Sequence, residues 1–312
     1  MSSPENTMRA VRFHAFGGPE QLVVERVARP EPQHGQALVR VQAASVNPVD
    51  WKIRSGALQA FMPVTLPAIP GSELAGVVEA VGAGVTAVAP GQRVFGRASS
   101  TYAEFAVAQA DQLAQIPDAL SYEQAATIAV GGGTAWAGLF DTAGLQAGQR
   151  LLVLGAAGGV GAYGAQLGRW KGAHVFGTAS ATNVDFVRSL GVEQAIDYNA
   201  TPLEQAVSDI DVVLDTVGGP AQEQALHVMK PGGILIAVAG MPPMEQAAAH
   251  GVRTSRVQAT SGSHLRQIAE LVASGVIVAP VGPAYPLSQA SAAQAQSQTT
   301  HGRGRIILHP AE

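Results

Sequence analysis

Residues Gly155-Ala-Ala-Gly158-Gly-Val-Gly161 follow the uniformly apolar run Leu151-Leu-Val-Leu154 and lead into a stretch where Val160, Tyr163, Gly164 and Leu167 recur at helical spacing. A strand here has to become a helix within a few residues. Glycines at these positions allow the sharp turn, let a pyrophosphate approach the backbone and let the helix pack closely on the sheet. The helix N-terminus then offers unpaired N–H groups and a partial positive charge to an anion. A glycine pattern alone is weak, since a plain tight turn also uses it. The strand before, the helix after and a second strand on time are the context that reads as a dinucleotide site.

Composition narrows what can happen beside that turn. The chain has no cysteine, which removes disulfides and every zinc site built on thiolates. Its 312 residues, 47% of them hydrophobic, are enough for two cores. Charged residues make up only 13% and the net charge is −4, so no basic field gathers nucleic acid or anionic lipid. The N-terminal residues lack a cationic start followed by an apolar segment, and the longest apolar stretch, Ala125 to Phe140, is broken by Gly131, Gly132, Gly133 and Thr134. A cytoplasmic protein with neither membrane nor nucleic acid as partner is expected.

Short β-rich runs separated by turn formers extend from Met8 to about Pro117: Arg9 to Phe13, Gln21 to Glu25, Ala37 to Val41, Leu74 to Val81, Arg93 to Phe95 and Tyr102 to Val107. They predict a compact antiparallel β domain. After Ser121 strands alternate with helices, which predicts a parallel sheet with helical crossovers. The strands are expected at Leu151 to Leu154, His174 to Gly177, Ala195 to Asp197, Asp211 to Asp215, Gly232 to Gly240 and Val257 to Thr260, in a doubly wound α/β arrangement. A helix is expected over His264 to Ser274. The Ala/Gln/Ser-rich segment Ser288 to Thr300 fits a solvated helix or a loop, and Arg305 to Leu308 has the character of the first domain's strands. The expected division is residues 1–120 and 264–312 in the first domain and 121–263 in the second.

NAD-binding folds usually place an acid near the end of the second strand, where it holds the adenosine ribose. This chain has Gly177-Thr-Ala-Ser-Ala-Thr-Asn183 there, with no carboxylate before Asp185. Nothing repels a 2′-phosphate, and the hydroxyls of Ser180 and Thr182 and the amide of Asn183 can donate to it. NADPH is therefore the expected cofactor, although no full basic clamp is visible. Thr182 serves equally well as a cap for the helix at Val184.

The segments Ala44-Ser-Val-Asn47-Pro-Val-Asp50-Trp-Lys-Ile-Arg-Ser-Gly56, Ile69-Pro-Gly-Ser72-Glu-Leu-Ala-Gly-Val-Val-Glu-Ala-Val-Gly82, Pro90-Gly-Gln-Arg-Val94 and Gly155 to Gly161 together resemble the medium-chain dehydrogenase/reductase superfamily. The likeness is strongest to its zinc-free branch, the quinone oxidoreductases and zeta-crystallins, and runs from about Met8 to Leu308. It implies a GroES-like β domain interrupted by a Rossmann domain, an active site in the cleft between them, and a homodimer or tetramer joined along the sheet edge near Val257. Zinc-dependent relatives carry a ligand cysteine at the position of Asn47 and a ligand histidine at that of Ser72, so no metal site is expected. Carried over by position, Asn47 lies near the nicotinamide and ribose, Thr134 at the nicotinamide, and Gly158, Gly159 and Val160 at the pyrophosphate. Ser180 meets the 2′-phosphate, Tyr198 the adenosine side and Gly240 the nicotinamide loop. Related bacterial enzymes often have lysine where Asn183 stands and tyrosine where Lys52 stands.

The resemblance implies hydride transfer from NADPH to a quinone or an α,β-unsaturated carbonyl, whose conjugation spreads incoming charge onto oxygen and so needs positioning more than a Lewis acid. Asn47 would help hold the cofactor, and water or Lys52 would supply the proton. A structural role as the ion-pair partner of Asp50 is the competing reading of Lys52. Two other functions remain open: a trans-enoyl thioester reductase, and an NADPH-binding structural or regulatory protein with little turnover.

Overall fold

The structure, a computed structural model, describes residues 6–257, 262–299 and 302–311. Six strands form an all-parallel sheet in the spatial order Gln194–Asp197, His174–Ala179, Arg150–Leu154, Ile210–Asp215, Met229–Ala237, Arg253–Arg256. The order reverses at Arg150–Leu154, the first of the six in the chain. In such sheets the crevice for a ligand opens at the carboxyl end of the strands beside this reversal. The glycine turn leaves Leu154 at that point.

The uniformly apolar character of Leu151 to Leu154 has a direct cause. Leu151 and Val153 face one core, together with Ala162, Tyr163, Ala165 and Leu167 of helix Gly159–Lys171. Leu152 and Leu154 face the opposite core with Phe176, Ile196, Val213 and Leu226. Both faces are covered, so neither tolerates a polar residue. The sixth strand departs from expectation. It is Arg253–Arg256, four residues earlier than the apolar Val257, and positions 258–260 lie outside the described residues. As an edge strand with one neighbour it leaves most of its side chains half-buried or exposed, and hydropathy does not mark it.

The second sheet is built around Gln36–Val46, which pairs antiparallel with Glu73–Val81, Phe105–Gln109 and Arg305–His309. Glu73–Val81 continues to Arg93–Arg97, and that strand to Leu113–Gln115. The tail does return to the first sheet, and it brings a strand that hydropathy misses: Val281–Pro286, parallel to Arg305–His309 and carrying two prolines. Thr7–Arg12 and Val23–Ala28 form a separate two-stranded sheet, with Ala10 bridging to Ala103. The Ala/Gln/Ser-rich segment is a helix, Ala290–Thr299, that buries Ala290 and Ala293 beside Val41 and Leu308. The part of the chain from residue 264 onward begins within helix Gly262–Ala273, whose Leu265, Ile268, Ala269 and Val272 join the parallel-sheet core; the chain passes to the other sheet at Val281.

The apolar stretch over Ala125 to Phe140 is a short buried run of helical turns. Among the described residues no helix is long and apolar enough to cross a membrane.

Candidate active site

A cavity of about 1240 Å³ opens between the two sheets. Gly155, Gly158, Gly159, Ser180, Asn183 and Tyr198 line it from the parallel-sheet side, and Val46, Pro48, Arg303 and Arg305 from the other. The glycine turn is fixed from the second strand, where Thr178 Oγ1 accepts the Gly155 N–H at 3.0 Å and the Thr178 carbonyl accepts the Ala156 N–H at 2.9 Å. At Gly161 a Cβ would fall 2.2 Å from the Gly155 carbonyl oxygen, so only glycine lets the helix sit this close to the turn. Gly158 differs: a Cβ there meets nothing nearer than that same oxygen, at 3.5 Å, and the space before it is open.

Arg305 completes this cradle and was not evident from the sequence. It is 5% exposed, and its Nε and Nη2 have no hydrogen-bond partner. A Cβ on Gly159, the first helical residue, would lie 2.6 Å from the Arg305 guanidinium carbon. A buried cation with orphaned N–H groups beside a helix N-terminus is an arrangement that lacks its anion. The residues present therefore fit a dinucleotide pyrophosphate.

Asn47 sits at the end of the long strand Gln36–Val46 and caps helix Pro48–Arg54, giving its N–H to Asp50 Oδ2 at 2.8 Å. Its side chain is fully buried. Nδ2 lies 3.0 Å from Ser45 Oγ, 3.2 Å from Ser72 Oγ and 3.0 Å from Glu73 Oε1. A carboxylate only accepts, which orients the amide with its nitrogen toward Glu73. Oδ1 is left buried without a partner. Glu73 is saturated in turn: Ser45 Oγ donates to Oε1, and the Val130 N–H donates to Oε2 at 2.6 Å. Glu73 thus acts as a brace within the fold.

Asp50 is 2% exposed and accepts from Asn47 N–H, from Ser72 Oγ at 3.0 Å and from Tyr102 OH at 3.1 Å. Burial raises its pKa to about 7 against the opposing pull of these hydrogen bonds, with the nearby Glu73 adding to the rise. The same burial, with the Asp50 charge, pushes the Tyr102 phenol well above its usual range. Tyr102 is core, fully enclosed and pinned to Asp50. Asp50 and Ser72 also line a second cavity of about 1370 Å³, to which Ile53, Met62 and Pro63 contribute.

The turn after the second strand brings Ser180, Thr182 and Asn183 together, with Ser180 and Asn183 on the cavity lining. Ser180 Oγ accepts from Asn183 Nδ2 at 3.2 Å and lies 3.2 Å from Thr182 Oγ1, with Tyr198 on the same cavity wall. Arg303, from the far end of the chain, reaches this turn: its Nε donates to Asn183 Oδ1 at 3.0 Å and its Nη2 to the Thr182 carbonyl at 2.7 Å. A contact between positions 120 apart leaves no trace in spacing.

Other candidates stand apart. Val160, Thr134 and Gly240 are not on the cavity lining; Thr134 is half-buried in helix Gly133–Trp136, and Gly240 is exposed at φ +71°. Lys52 lines neither of the two large cavities, and its Nζ rests 5.5 Å from the Trp51 ring centre.

Residues 33–118 match the family model for the alcohol dehydrogenase GroES-like domain and residues 190–308 that for zinc-binding dehydrogenases. The second description implies zinc, which the donor set here does not fit: an amide nitrogen stands where a ligand would, and Ser72 and Glu73 are engaged in hydrogen bonds. Among the described residues no three His, Cys, Asp or Glu side chains group as metal ligands. The chain is 33% identical to a quinone oxidoreductase of Mus musculus over 98% of both chains. It is 33% identical to a chloroplastic NADPH-dependent alkenal/one oxidoreductase of Arabidopsis thaliana, covering 97% of this chain and 80% of the other. A mycobacterial protein solved in complex with NADPH superposes with a TM-score of 0.89 at 30% identity, covering 97% of this chain and 100% of that one. With its two sheets, its glycine turn and these full-length relatives, the chain belongs to the medium-chain dehydrogenase/reductase superfamily, in its quinone oxidoreductase branch, and is an oxidoreductase.

Proposed function

We propose that this enzyme uses NADPH to reduce a quinone, or the carbon–carbon double bond of an α,β-unsaturated carbonyl, without a metal ion. The carrying observation is the Asn47 amide. Its nitrogen is held by Ser45, Ser72 and Glu73, while its Oδ1 remains a buried acceptor with no partner, between the cavity-lining Val46 and Pro48. A rigid, unsatisfied acceptor just behind that lining would suit a hydroxyl or amide of the cofactor. The relatives named for quinones and for NADPH-dependent alkenal reduction support the same chemistry.

The bound cofactor supplies a hydride. The chain's own residues supply placement. The turn at Gly155 to Gly159 and Arg305 hold the pyrophosphate, Ser180 and Asn183 the phosphorylated ribose, and Asn47 the nicotinamide side. Walls from both sheets limit water. A conjugated acceptor stabilises the arriving charge on its own oxygen, so orientation is the main demand on the protein. Of the two proton sources, water and Lys52, the position of Lys52 outside both cavities favours water.

The test mixes purified enzyme and NADPH with quinones, enones and enoyl thioesters while the absorbance of the reduced nicotinamide is followed. Consumption with quinones or enones, and little with thioesters, is expected. Turnover confined to thioesters would make the enzyme an enoyl thioester reductase, and binding without turnover would make it a cofactor-binding protein of another role.

A further inference from the structure

We infer that Arg303 is the residue that selects NADPH over NADH, reaching across the cleft to supply the positive charge that the second-strand turn lacks. The inference rests on the NADPH reading above and assigns its selectivity to one side chain.

The turn Ser180 to Asn183 offers hydroxyls and an amide but no cation. Ser180 Oγ accepts from Asn183 Nδ2 and touches Thr182 Oγ1, so its hydroxyl hydrogen can turn to a phosphate when Thr182 is the donor of that pair. Asp185, the nearest acid in sequence, is tied to Arg188 at 2.7 Å. Neutral donors alone discriminate weakly for a doubly charged phosphate, whereas a guanidinium fork matches its oxygens and forms charge-assisted bonds about twice as strong.

Arg303 is fixed at this turn from the opposite sheet. Its backbone neighbour Gly304 gives its N–H to the Ala157 carbonyl at 3.0 Å and bridges Gly158, so the lead into the last strand is stitched to the glycine turn. The side chain then crosses to the ribose end. Nε is held by Asn183 Oδ1, Nη2 by the Thr182 carbonyl, and the guanidinium stands 5.7 Å from the centre of the Phe186 ring. Nη1 has no protein partner among the described residues, and Arg303 lines the cavity with Ser180, Asn183 and Tyr198. Three contacts pre-set the orientation of the charge, so little freedom is lost when phosphate arrives.

The experiment is calorimetric titration of wild type, Arg303→Ala and Arg303→Lys with adenosine 2′,5′-bisphosphate and with 5′-AMP, which differ only in the 2′-phosphate, alongside NADPH and NADH. Arg303→Ala is expected to weaken the bisphosphate and NADPH roughly 10- to 100-fold, as the loss of a hydrogen-bonded charge implies, while changing 5′-AMP and NADH less than about twofold. Arg303→Lys is expected to restore part of the loss. Equal weakening of all four ligands would make Arg303 a cleft strut rather than a selector, and unchanged affinities would remove it from the site; either result overturns the inference while leaving the cofactor reading in place. A wild-type protein that binds neither NADPH nor the bisphosphate would overturn both.

Discussion

Asn47 and Asp50 show how a short polar sequence divides its work. In the turn Asn47-Pro48-Val49-Asp50 the Asp50 carboxylate reaches back to accept the Asn47 N–H at the start of helix Pro48–Arg54, while the Asn47 amide is held by Ser45, Ser72 and Glu73. Asn47 then presents one unsatisfied oxygen, and Asp50 becomes a buried acid held by three donors. Because burial raises the Asp50 pKa to about 7, the folded protein binds its proton more tightly than the unfolded chain does. Stability from this group is therefore present at low pH, falls as pH rises from the ordinary carboxylate range toward 7, and is fully lost above it, at a cost on the order of a few kcal/mol. Urea unfolding of wild type and Asp50→Asn on either side of that window should show the wild type losing stability with rising pH relative to the variant. Parallel profiles for the two proteins would mean that Asp50 does not titrate there.

At the scale of the strand–turn–helix element, two glycines of the same turn have opposite tasks. Gly161 answers to packing, since a Cβ would strike the Gly155 carbonyl at 2.2 Å, whereas Gly158 faces open space. Gly161→Ala should lower the thermal midpoint by several degrees, in line with roughly 1–3 kcal/mol of overpacking. Gly158→Val should fold with a near-normal midpoint and lose NADPH binding; retained affinity would place the pyrophosphate elsewhere. This element was legible because period, glycine spacing and the apolar run agree over a few adjacent residues. The crown around Asn47 was partly legible, since Ser72 and Glu73 stand in a recognisable segment. Arg303 and Arg305 were not, because their sites form only when the last strand of the chain returns beside the turn, and the strands Val281–Pro286 and Arg253–Arg256 escaped notice because prolines and edge exposure erase their hydropathy.

Across the whole molecule, the cavity belongs to neither sheet alone. The parallel sheet supplies the glycine turn and the segment Ser180 to Asn183, while Val46, Pro48, Arg303 and Arg305 line the cavity from the other side, so a ligand filling the cleft would contact both bodies. Gly304 N–H to Ala157 carbonyl is already a bond between them. On the proposed reading such a cleft orients a conjugated acceptor against a cofactor by position, and among the described residues no three His, Cys, Asp or Glu side chains group as metal ligands. The most direct measurement combines NADPH deuterated at the transferring carbon of its nicotinamide with an enone and enzyme treated with a strong chelator. Deuterium is predicted at the β-carbon of the reduced product, at a rate equal to that of untreated enzyme. Activity that disappears on chelation and returns with added zinc, or product without deuterium, would contradict metal-independent hydride transfer in this cleft.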